Sequence, residues 1–302
     1  MTVDKILVIG TSGQVGRSIC SQLGARANVV YADHDASDPK VKACDLADIT
    51  SLSALILSER PRIIINCAAY TAVDLAEKEF DLAMKINGLA VEALAKAAHE
   101  ISAVLIHYST DYVFDGTGSL AWKESDKTSP VNAYGRTKLF GDEAVTKHCP
   151  KFGYVFRTQW VYDNEGKNFL NTMLRFGAER EEMSVVGDQI GAPTTSLVIA
   201  DYTLKALSKI VAGTMPAGIY NLVCRGEVSW HGFAETIFKA ARERGLPLKI
   251  RNLKKIESKD FPTPAARPKN SRLNVDKLEL ALGEKLPTWD AALTYLMSLR
   301  KN

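Results

Sequence analysis

A buried strand that runs into a glycine-rich turn constrains the fold of this 302-residue chain more than any other feature. Ile6 to Ile9 is an uninterrupted apolar run, which is typical of a strand covered on both faces of a parallel sheet. The turn Gly10-Thr11-Ser12-Gly13-Gln14-Val15-Gly16 follows directly, and the apolar spacing of residues 13–23 predicts a helix after it. A strand, a glycine turn and a helix in this order are the context that a dinucleotide-binding turn needs.

The alternation of strands and helices continues through the first half of the chain. We predict further strands at 28–32, 63–65, 104–106 and 154–157, and helices at 49–60, 82–98 and 134–148. Strands that alternate with helices form right-handed β-α-β crossovers and therefore a parallel sheet. The predicted fold class is α/β, a Rossmann-type doubly wound parallel sheet with a smaller C-terminal substrate-binding lobe.

The alternation weakens after about residue 165. The later segments predict helices at 169–179, 198–211 and 230–244, short strands at 219–222 and 248–253, and an irregular proline-rich stretch at 260–268. Ligands of open α/β sheets bind at the carboxyl ends of the strands, so we expect the lobe to cover that edge. The predicted organisation is a dinucleotide-binding domain at 1–165, to which elements of the later half can return, and a mainly substrate-binding lobe at 166–302.

Composition and charge argue against several classes of protein. A net charge of +3 without any basic run gives no reason to expect a nucleic-acid partner. The five cysteines are scattered and form no Cys-x-x-Cys pair, which favours reduced thiols in the cytoplasm over disulfides or zinc. The apolar run before Gly10 is only four residues long, Ile6 to Ile9, which is too short for a signal peptide, and no stretch suggests a membrane span.

The glycine turn and two strand ends predict a dinucleotide site. Glycines allow the backbone to approach a pyrophosphate, whose charge the helix N-terminus favours; the turn could also serve strand–helix packing alone. Asp33 ends the second predicted strand, where it can accept bonds from ribose hydroxyls and repel a 2′-phosphate, or be a solvated loop acid. Arg17 could offset that repulsion, so both NADH and NADPH stay open. Ala68-Ala69-Tyr70 ends the third strand, where small residues suit either a nicotinamide ribose or close packing.

A candidate proton donor lies in the helix predicted at 134–148. Tyr134 and Lys138 are four residues apart and share a helix face, although about one such pair is expected by chance. A lysine ammonium beside a tyrosine lowers the pKa of the phenol, which can then exchange a proton near neutral pH. Thr110 ends the strand before it and can bond the same substrate oxygen. With a hydride donor, the three residues would reduce a ketone or oxidise an alcohol; each could also be a structural or surface residue.

Seven stretches in fixed order give the chain a specific resemblance. They resemble the extended short-chain dehydrogenase/reductase superfamily, and within it the family of dTDP-4-dehydrorhamnose reductases. The matching stretches cover almost the whole chain and are residues 10–16, 66–74, 109–116, 134–138, 157–162, 188–194 and 267–273.

The resemblance implies an activity and a set of site residues. NADH or NADPH would reduce the C4 ketone of dTDP-6-deoxy-L-lyxo-4-hexulose to dTDP-L-rhamnose, a precursor of cell-surface polysaccharide. By the same resemblance Tyr134 donates the proton, Lys138 tunes Tyr134 and holds the nicotinamide ribose, and Thr110 bonds the reacting oxygen. The implied cofactor contacts are Gly13, Gln14, Val15, Asp33, Asp45, Leu46, Ala68, Ala69, Tyr70 and Tyr108. The implied contacts to the sugar nucleotide are Thr110, Asp111 and Trp160, the last of which could equally fill the core.

Two departures from related patterns refine this expectation. The sister sugar-nucleotide dehydratases carry Thr-Asp-Glu, whereas Thr110-Asp111 is followed here by Tyr112, which favours simple reduction over elimination. Some members of the family dimerise around Mg²⁺ held by glutamates, but Ser18 and Leu197 stand at the matching places. Neither side chain can replace a carboxylate ligand. We therefore expect no metal site, doubt a Mg²⁺-bridged dimer, and leave monomer and homodimer open.

Two other functions stay open at this point. Proteins that resemble this family also serve as non-catalytic regulatory subunits of a methionine adenosyltransferase, although such a subunit has no need of Thr110, Tyr134 and Lys138. A sugar-nucleotide epimerase would instead hold NAD⁺ tightly and recycle it.

Overall fold

The computed structural model describes residues 4–24 and 28–300. Residues 1–3, part of the stretch considered as a signal peptide, lie outside the described range. The strands, in chain order, are β1 (Ile6–Ile9), β2 (Val29–Asp33), β3 (Val41–Ala43), β4 (Ile63–Asn66), β5 (Val104–Thr110), β6 (Gly153–Thr158), β7 (Val161–Tyr162), β8 (Glu182–Val186), β9 (Ile190–Gly191), β10 (Thr194–Thr195), β11 (Gly218–Asn221), β12 (Val228–Ser229) and β13 (Asn252–Ile256).

Seven of these strands form one parallel sheet in the order β11-β6-β5-β4-β1-β2-β3. The chain moves outward from β1 to β3 and then returns to the other side of β1 with β4. The strand order therefore reverses between β1 and β4, and the crevice at such a reversal is where open α/β sheets bind ligands. The glycine turn after β1 lies at this crevice. The predicted fold class is confirmed.

Ten helices lie in the described part of the chain, and some of them flank this sheet while others belong to a separate core. In chain order they are α1 (Gln14–Leu23), α2 (Ile49–Glu59), α3 (Phe80–Met84), α4 (Ala90–Glu100), α5 (Ala133–His148), α6 (Phe169–Glu179), α7 (Ser196–Val211), α8 (Trp230–Glu243), α9 (Asp276–Leu282) and α10 (Trp289–Ser298). The helix predicted at 82–98 is present, but a π-helical turn at Lys85–Leu89 joins α3 to α4. Such turns are rare and often accompany functional sites. The Asn87 side chain of this turn holds both backbone groups of Tyr70, at 2.9 and 3.0 Å.

Apolar residues of β1 alternate between two helical layers, as expected for a strand buried on both faces. Val8 belongs to a core with Ile19 of α1 and Ile199 of α7. Leu7 belongs to the opposite core, with Leu52 of α2. The α7 contribution explains why residues well beyond 165 are part of the sheet domain.

The later half is divided between the sheet and a separate core. β11 joins the sheet beside β6, and α7 packs against α1. A third cluster of buried residues lies around α6, α8 and α10, beside the β8–β13 pair. The strand expected at 248–253 begins only at Asn252, because the preceding residues bind the end of α6: the amides of Lys249 and Ile250 both donate to the Gly177 carbonyl.

Two further expectations concern thiols and membranes. All five cysteines are free thiols, as predicted. Across residues 4–24 and 28–300, no helix combines the length and apolar character needed to cross a membrane.

Candidate active site

The turn between β1 and α1 is closed so tightly that two of its glycines cannot be replaced. Gly10 has a φ of +82°, and a side chain there would meet the Ala68 backbone nitrogen at 2.5 Å. A side chain at Gly16 would lie 2.0 Å from the Gly10 carbonyl oxygen. These two positions are therefore required by strand–helix packing, which was one of the two readings of the turn.

Gly13 has a different reason to be glycine. It directly precedes α1, its φ of −70° suits any residue, and no protein atom would lie closer than 3.5 Å to an added Cβ. The space beside it is open and faces the first backbone N–H groups of α1. An anion at a helix N-terminus is stabilised by these donors and by the helix dipole. Packing within the fold does not require glycine at position 13. A glycine there instead leaves space for the diphosphate of a dinucleotide.

A cleft of about 390 Å³ continues from this turn along the ends of β2 and β4. It brings together seven of the predicted cofactor residues with five others that the sequence did not indicate. The predicted ones are Gly10, Asp33, Asp45, Leu46, Ala68, Ala69 and Tyr70, and the others are His34, Cys44, Thr71, Ala72 and Ile86. The residues present therefore fit an elongated nucleotide.

Asp33 is bound to the protein itself. Its Oδ2 accepts from the Ser12 amide at 2.7 Å, and its Oδ1 lies 2.8 Å from Nδ1 of His34. Burial alone would raise the pKa of Asp33, but hydrogen bonds from the Ser12 and Asp35 backbone outweigh it and lower the pKa. The carboxylate is only 1% exposed, so its first role is to hold the glycine turn. The alternative of a solvated loop acid does not describe it.

Three of the predicted cofactor residues outside the lining of this cleft have side chains that bind or pack elsewhere in the protein. The Tyr108 side chain is in the core and its hydroxyl bonds Thr203 at 2.8 Å, so only its backbone carbonyl reaches the site. Val15 packs on the same core. The Gln14 amide oxygen accepts from Asn168 at 2.9 Å, which ties the glycine turn to the segment before α6. Their contacts to a cofactor stay predictions.

The three predicted catalytic residues meet at the end of β5. Thr110 is buried there, donates to Oδ1 of Asp111 at 3.1 Å, and lies beside Tyr134 of α5. The Tyr134 ring lies edge-on to Tyr112, with ring centroids 5.8 Å apart, and packs against the same small alanine cluster as Tyr70 of the nucleotide cleft. Lys138, one turn further along α5, is buried and donates to the Tyr108 carbonyl at 2.5 Å.

One electrostatic expectation for this group is wrong. The pKa of Tyr134 is raised above its ordinary value, first by burial and then by Asp111 and Tyr112, while the Thr110 hydrogen bond lowers it only in part. Lys138 does not reverse this shift. Burial also lowers the pKa of the lysine itself, to about 8. Tyr134 is consequently a protonated phenol at neutral pH.

Asp111 is a second unusual acid in the site. It is buried, and burial raises the pKa of its carboxyl to about 7, although hydrogen bonds from Ser271 and Thr110 offset part of the shift. A carboxyl that changes charge near neutral pH beside a tyrosine is typical of active sites. The sequence placed Asp111 among the substrate contacts but gave no sign of this shift, which depends on how completely the surrounding chain excludes water.

Sequence reasoning missed a buried polar pair behind Lys138. His107 of β5 has its Nε2 3.2 Å from Nζ of Lys138, and its Nδ1 3.1 Å from the Asn66 side-chain nitrogen at the end of β4. The only signal was a histidine in an otherwise apolar strand just before the Ser109-Thr110-Asp111 stretch. A histidine on an apolar strand is more often a structural residue, so that signal was weak.

A second cavity, of about 440 Å³, opens beside Tyr112. Apart from Tyr112, all the residues that line it come from the part of the chain after 166. Most are apolar or aromatic, with two cations among them: Phe169, Thr172, Met173, Phe176, Arg180, Met183, Ser184, Val185, Val186, Gln189, Trp230, Phe261, Thr263 and Arg267. Arg267 is held at its rim by Asp74, at 2.7 Å.

Trp160 lies next to this cavity in a strained conformation. Its φ is +47°, which is uncommon for a bulky residue. One face of its ring stacks on Trp230, with ring centroids 3.6 Å apart and 14° between the planes. Strained residues cluster at ligand sites. The stack shows that Trp160 packs partly as core, and a contact to the sugar nucleotide stays a prediction.

The places matched to metal-binding glutamates have a structural use within this chain. Ser18 hydrogen-bonds the Ser196 hydroxyl at 2.8 Å between α1 and α7, and Ser196 donates to Asp163 at 2.7 Å. Leu197 packs against the core around α6 and α8. In the described part of the chain, no group of three His, Cys, Asp or Glu side chains is arranged to hold a metal. The expected lack of a metal stays a prediction.

The fold and site together define a class. A parallel sheet with a glycine turn at its strand reversal, a nucleotide cleft, and a Thr-Tyr-Lys group at the end of β5 are the features of a dinucleotide-dependent oxidoreductase of the extended short-chain type.

Comparison with known proteins makes the assignment narrower. Residues 4–300 match the family model described as the RmlD substrate binding domain. The chain is 42% identical over 293 residues to the dTDP-4-dehydrorhamnose reductase of Escherichia coli K12, covering 97% of each chain. It superimposes on a dTDP-4-dehydrorhamnose reductase from Clostridium acetobutylicum with a TM-score of 0.88 and 35% identity, covering 98% of this chain and 99% of that one. A Bacillus anthracis dTDP-4-dehydrorhamnose reductase in complex with NADP gives a TM-score of 0.87 at 32% identity, with 98% and 99% covered.

This chain therefore belongs to the dTDP-4-dehydrorhamnose reductase family. The predictions of an oxidoreductase, of its family and of a nicotinamide dinucleotide as cofactor are confirmed.

Replacing each of two glycines by alanine should separate folding from cofactor binding. G16A places a methyl group against the Gly10 carbonyl and should lower the free energy of unfolding by about 3 kcal/mol or more. G13A has room for its methyl group and should cost no more than about 1 kcal/mol as a poorer N-cap. In the open space beside α1, however, that methyl should weaken NADPH binding at least about tenfold. Urea unfolding and fluorescence titration measure the two effects, and unchanged NADPH affinity in G13A would contradict this account of the turn.

Replacing Asp111 by asparagine should stabilise the protein in a pH-dependent way. The folded-state pKa of about 7 lies above the ordinary 3.8, so keeping Asp111 charged costs stability that builds up as the pH rises from about 4 to 7. D111N removes this cost, which is at most about 4 kcal/mol. Its gain in unfolding free energy over the wild type should therefore be larger at pH 8 than at pH 5. An equal gain at both pH values, or a larger one at pH 5, would show that burial does not perturb this carboxyl.

Proposed function

We propose that this chain reduces the C4 ketone of dTDP-6-deoxy-L-lyxo-4-hexulose to dTDP-L-rhamnose, with Thr110, Tyr134 and Lys138 as its catalytic residues. One observation carries the proposal. Tyr134 packs against the same small alanine cluster as Tyr70 of the nucleotide cleft and lies edge-on to Tyr112 of the apolar cavity, so a phenolic proton lies where a dinucleotide and a second ligand would meet. The family assignment gives the identity of that second ligand.

The protonation states of the site suit reduction. A bound NADPH or NADH supplies the hydride. Thr110, which lies beside Tyr134, orients the ketone oxygen, and Tyr134 donates its proton to that oxygen as negative charge develops there. The raised pKa keeps Tyr134 protonated before the reaction. Lys138 is the cation next along the same helix face and favours the phenolate that is left.

Both reduced dinucleotides should bind, and NADPH is supported by the way Asp33 is held. A 2′-phosphate is repelled by an acid that faces it, but the charge of Asp33 is compensated by the Ser12 amide and by His34. The His34 ring is 76% exposed and beside the cleft. Arg17, which the sequence suggested as a counter-charge, instead donates to the Ser12 carbonyl at 2.5 Å. The relative from Bacillus anthracis was solved with NADP.

The apolar cavity suits the nucleotide half of the substrate. Aromatic and aliphatic side chains offer surfaces to a base, and two arginines offer charge to a diphosphate. Arg180 lies over the Phe176 ring at 4.0 Å, while Arg267 is at the end nearer Tyr112. Asp111 and Trp160 would then contact the sugar. This placement supports a substrate-binding role for the later half of the chain, with β11 and α7 counted with the sheet.

The remaining assignments concern the surroundings of the enzyme. We place it in the cytoplasm as a biosynthetic enzyme that acts on a small sugar nucleotide, without nucleic acid or membrane partners. It would be a monomer or a homodimer without a metal bridge, since Ser18 and Leu197 are committed to contacts within the chain.

A turnover assay tests the proposal against the two alternatives. The protein should oxidise NADPH or NADH, followed by absorbance, only when the 4-keto sugar nucleotide is present. No turnover with either dinucleotide would contradict the proposal. Co-purification with a methionine adenosyltransferase without turnover would favour the regulatory subunit, and tightly bound NAD⁺ in the purified protein would favour an epimerase.

Replacing Tyr134 by phenylalanine should separate catalysis from binding. Y134F removes the proton donor but keeps the ring that packs against Tyr112 and the alanine cluster, so kcat should fall at least about 100-fold while the protein still binds NADPH. Steady-state kinetics and fluorescence titration check the two parts. A Y134F enzyme with wild-type kcat would remove Tyr134 from the mechanism.

A further inference from the structure

We propose that His107 is a positioning residue for the reduction, which fixes the Lys138 side chain through Nε2 of its ring. This inference deepens the proposed function and depends on it. His107 itself contacts neither cavity; it lies behind the lysine, on the neighbouring strand β5.

The geometry gives the lysine two fixed partners. Nζ of Lys138 donates to the Tyr108 carbonyl at 2.5 Å and lies 3.2 Å from Nε2 of His107. His107 and Lys138 are each only 1% exposed, so neither contact exchanges with bulk water. An ammonium has three donors. Two of them point to β5, which leaves one N–H for a bound ligand.

The protonation of the imidazole follows from this arrangement. Burial and the neighbouring lysine hold the pKa of His107 well below its ordinary value, so the ring is neutral. A neutral imidazole has one bare nitrogen, and a charged Lys138, which has only donors, requires that nitrogen to be Nε2. The proton then lies on Nδ1. Two donors would meet if the Asn66 side-chain nitrogen stayed 3.1 Å from Nδ1, so the Asn66 amide must turn its oxygen to the ring. That turn gives up the neutral 3.2 Å hydrogen bond from the Ala68 backbone to the Asn66 oxygen in favour of the charge-assisted bond from Lys138.

Other charged and titratable groups near Lys138 do not replace His107. Asp142 favours the charged lysine, but its Oδ2 is paired with Arg157 of β6 at 3.0 Å. The remaining titratable groups around the pair are Tyr134 on α5, Asp111 after β5, Tyr108 on β5 and Cys67 after β4. Among the groups that the structure describes, His107 is the one side chain with a hydrogen-bond contact to Nζ.

Two substitutions of similar size separate the two edges of the ring. H107Q places an amide at about the distance of Nε2 from the backbone, so its oxygen can accept from Lys138 while the contact to Asn66 is lost. H107N places an amide at about the distance of Nδ1, so it keeps Asn66 and leaves Lys138 without its side-chain acceptor. A purely structural role in joining β4 to β5 predicts that H107N is the milder change, and the positioning role predicts the opposite.

The expected results differ in rate and in pH dependence. H107N should lose about tenfold or more in kcat, because a misplaced lysine no longer holds the reacting groups in register. H107Q should stay within about threefold of the wild type by the same reasoning. Activity should fall as the pH rises through the pKa of Lys138, which burial lowers to about 8. Loss of an acceptor disfavours the ammonium, so this falling limb should move to lower pH by about half a unit or more in H107N and stay in place in H107Q.

Melting temperature and NADPH affinity accompany both kinetic measurements. Equal kcat losses in the two variants, or a larger loss in H107Q, would overturn the proposal. If H107N does not fold, the pH profile of H107Q alone tests the proposal. A shift of the falling limb of activity in H107Q would contradict the role of Nε2. A wild-type enzyme without turnover would instead point to a failure of the proposed function, since the Lys138 contact could then still be measured through NADPH binding at different pH values.

Discussion

The close approach of the glycine turn to the end of β4 is the constraint on which the rest of this structure depends. Gly10 lies against the Ala68 backbone and Gly16 against the Gly10 carbonyl, with no room for a side chain at either place. This contact sits where the strand order reverses, so it aims the N-terminus of α1 into the crevice between β1 and β4. It also sets the end of β4, from which Asn66 reaches the polar groups of β5 and α5.

The catalytic groups sit on the side of this crevice that excludes water most completely. Burial raises the pKa of Tyr134 and of Asp111 and lowers that of Lys138, so each of the three is pushed toward its neutral form. For a reductase this is useful, because a neutral phenol still has the proton that the product needs. Burying these groups lowers the free energy of unfolding, and the apolar cores on the two faces of the sheet offset this loss.

The sequence predicted the parallel sheet because its central strands are buried on both faces and read as continuous apolar runs. β1, β4 and β5 are of this kind. The short edge strand β3 and the β8–β13 pair are half exposed and carry no such run, and α9 and α10 lie in a stretch where no prediction was made. Local pattern alone could not reveal elements whose stability comes from distant partners.

The sequence predicted the candidate site best at residues whose type and spacing indicate a single function. Glycines in a turn and a Tyr-Lys pair on a helix indicate their roles from spacing alone. His107, the Trp160–Trp230 stack and the direction of the Tyr134 pKa depend on which side chains meet across the fold, and the sequence does not contain that information in a local form. Asp33 shows the same limit, since its position at the end of β2 was predicted but its bond to the glycine turn was not.

The central claim is that this site delivers hydride to C4 of the sugar. It is tested most directly with NADPH that carries two deuterium atoms at C4 of the nicotinamide, incubated with the 4-keto sugar nucleotide. Proton NMR of the product should show one deuterium on C4 of the hexose and a new hydroxyl group there. A product with deuterium at another carbon, or a sugar that changes without acquiring deuterium, would contradict the account.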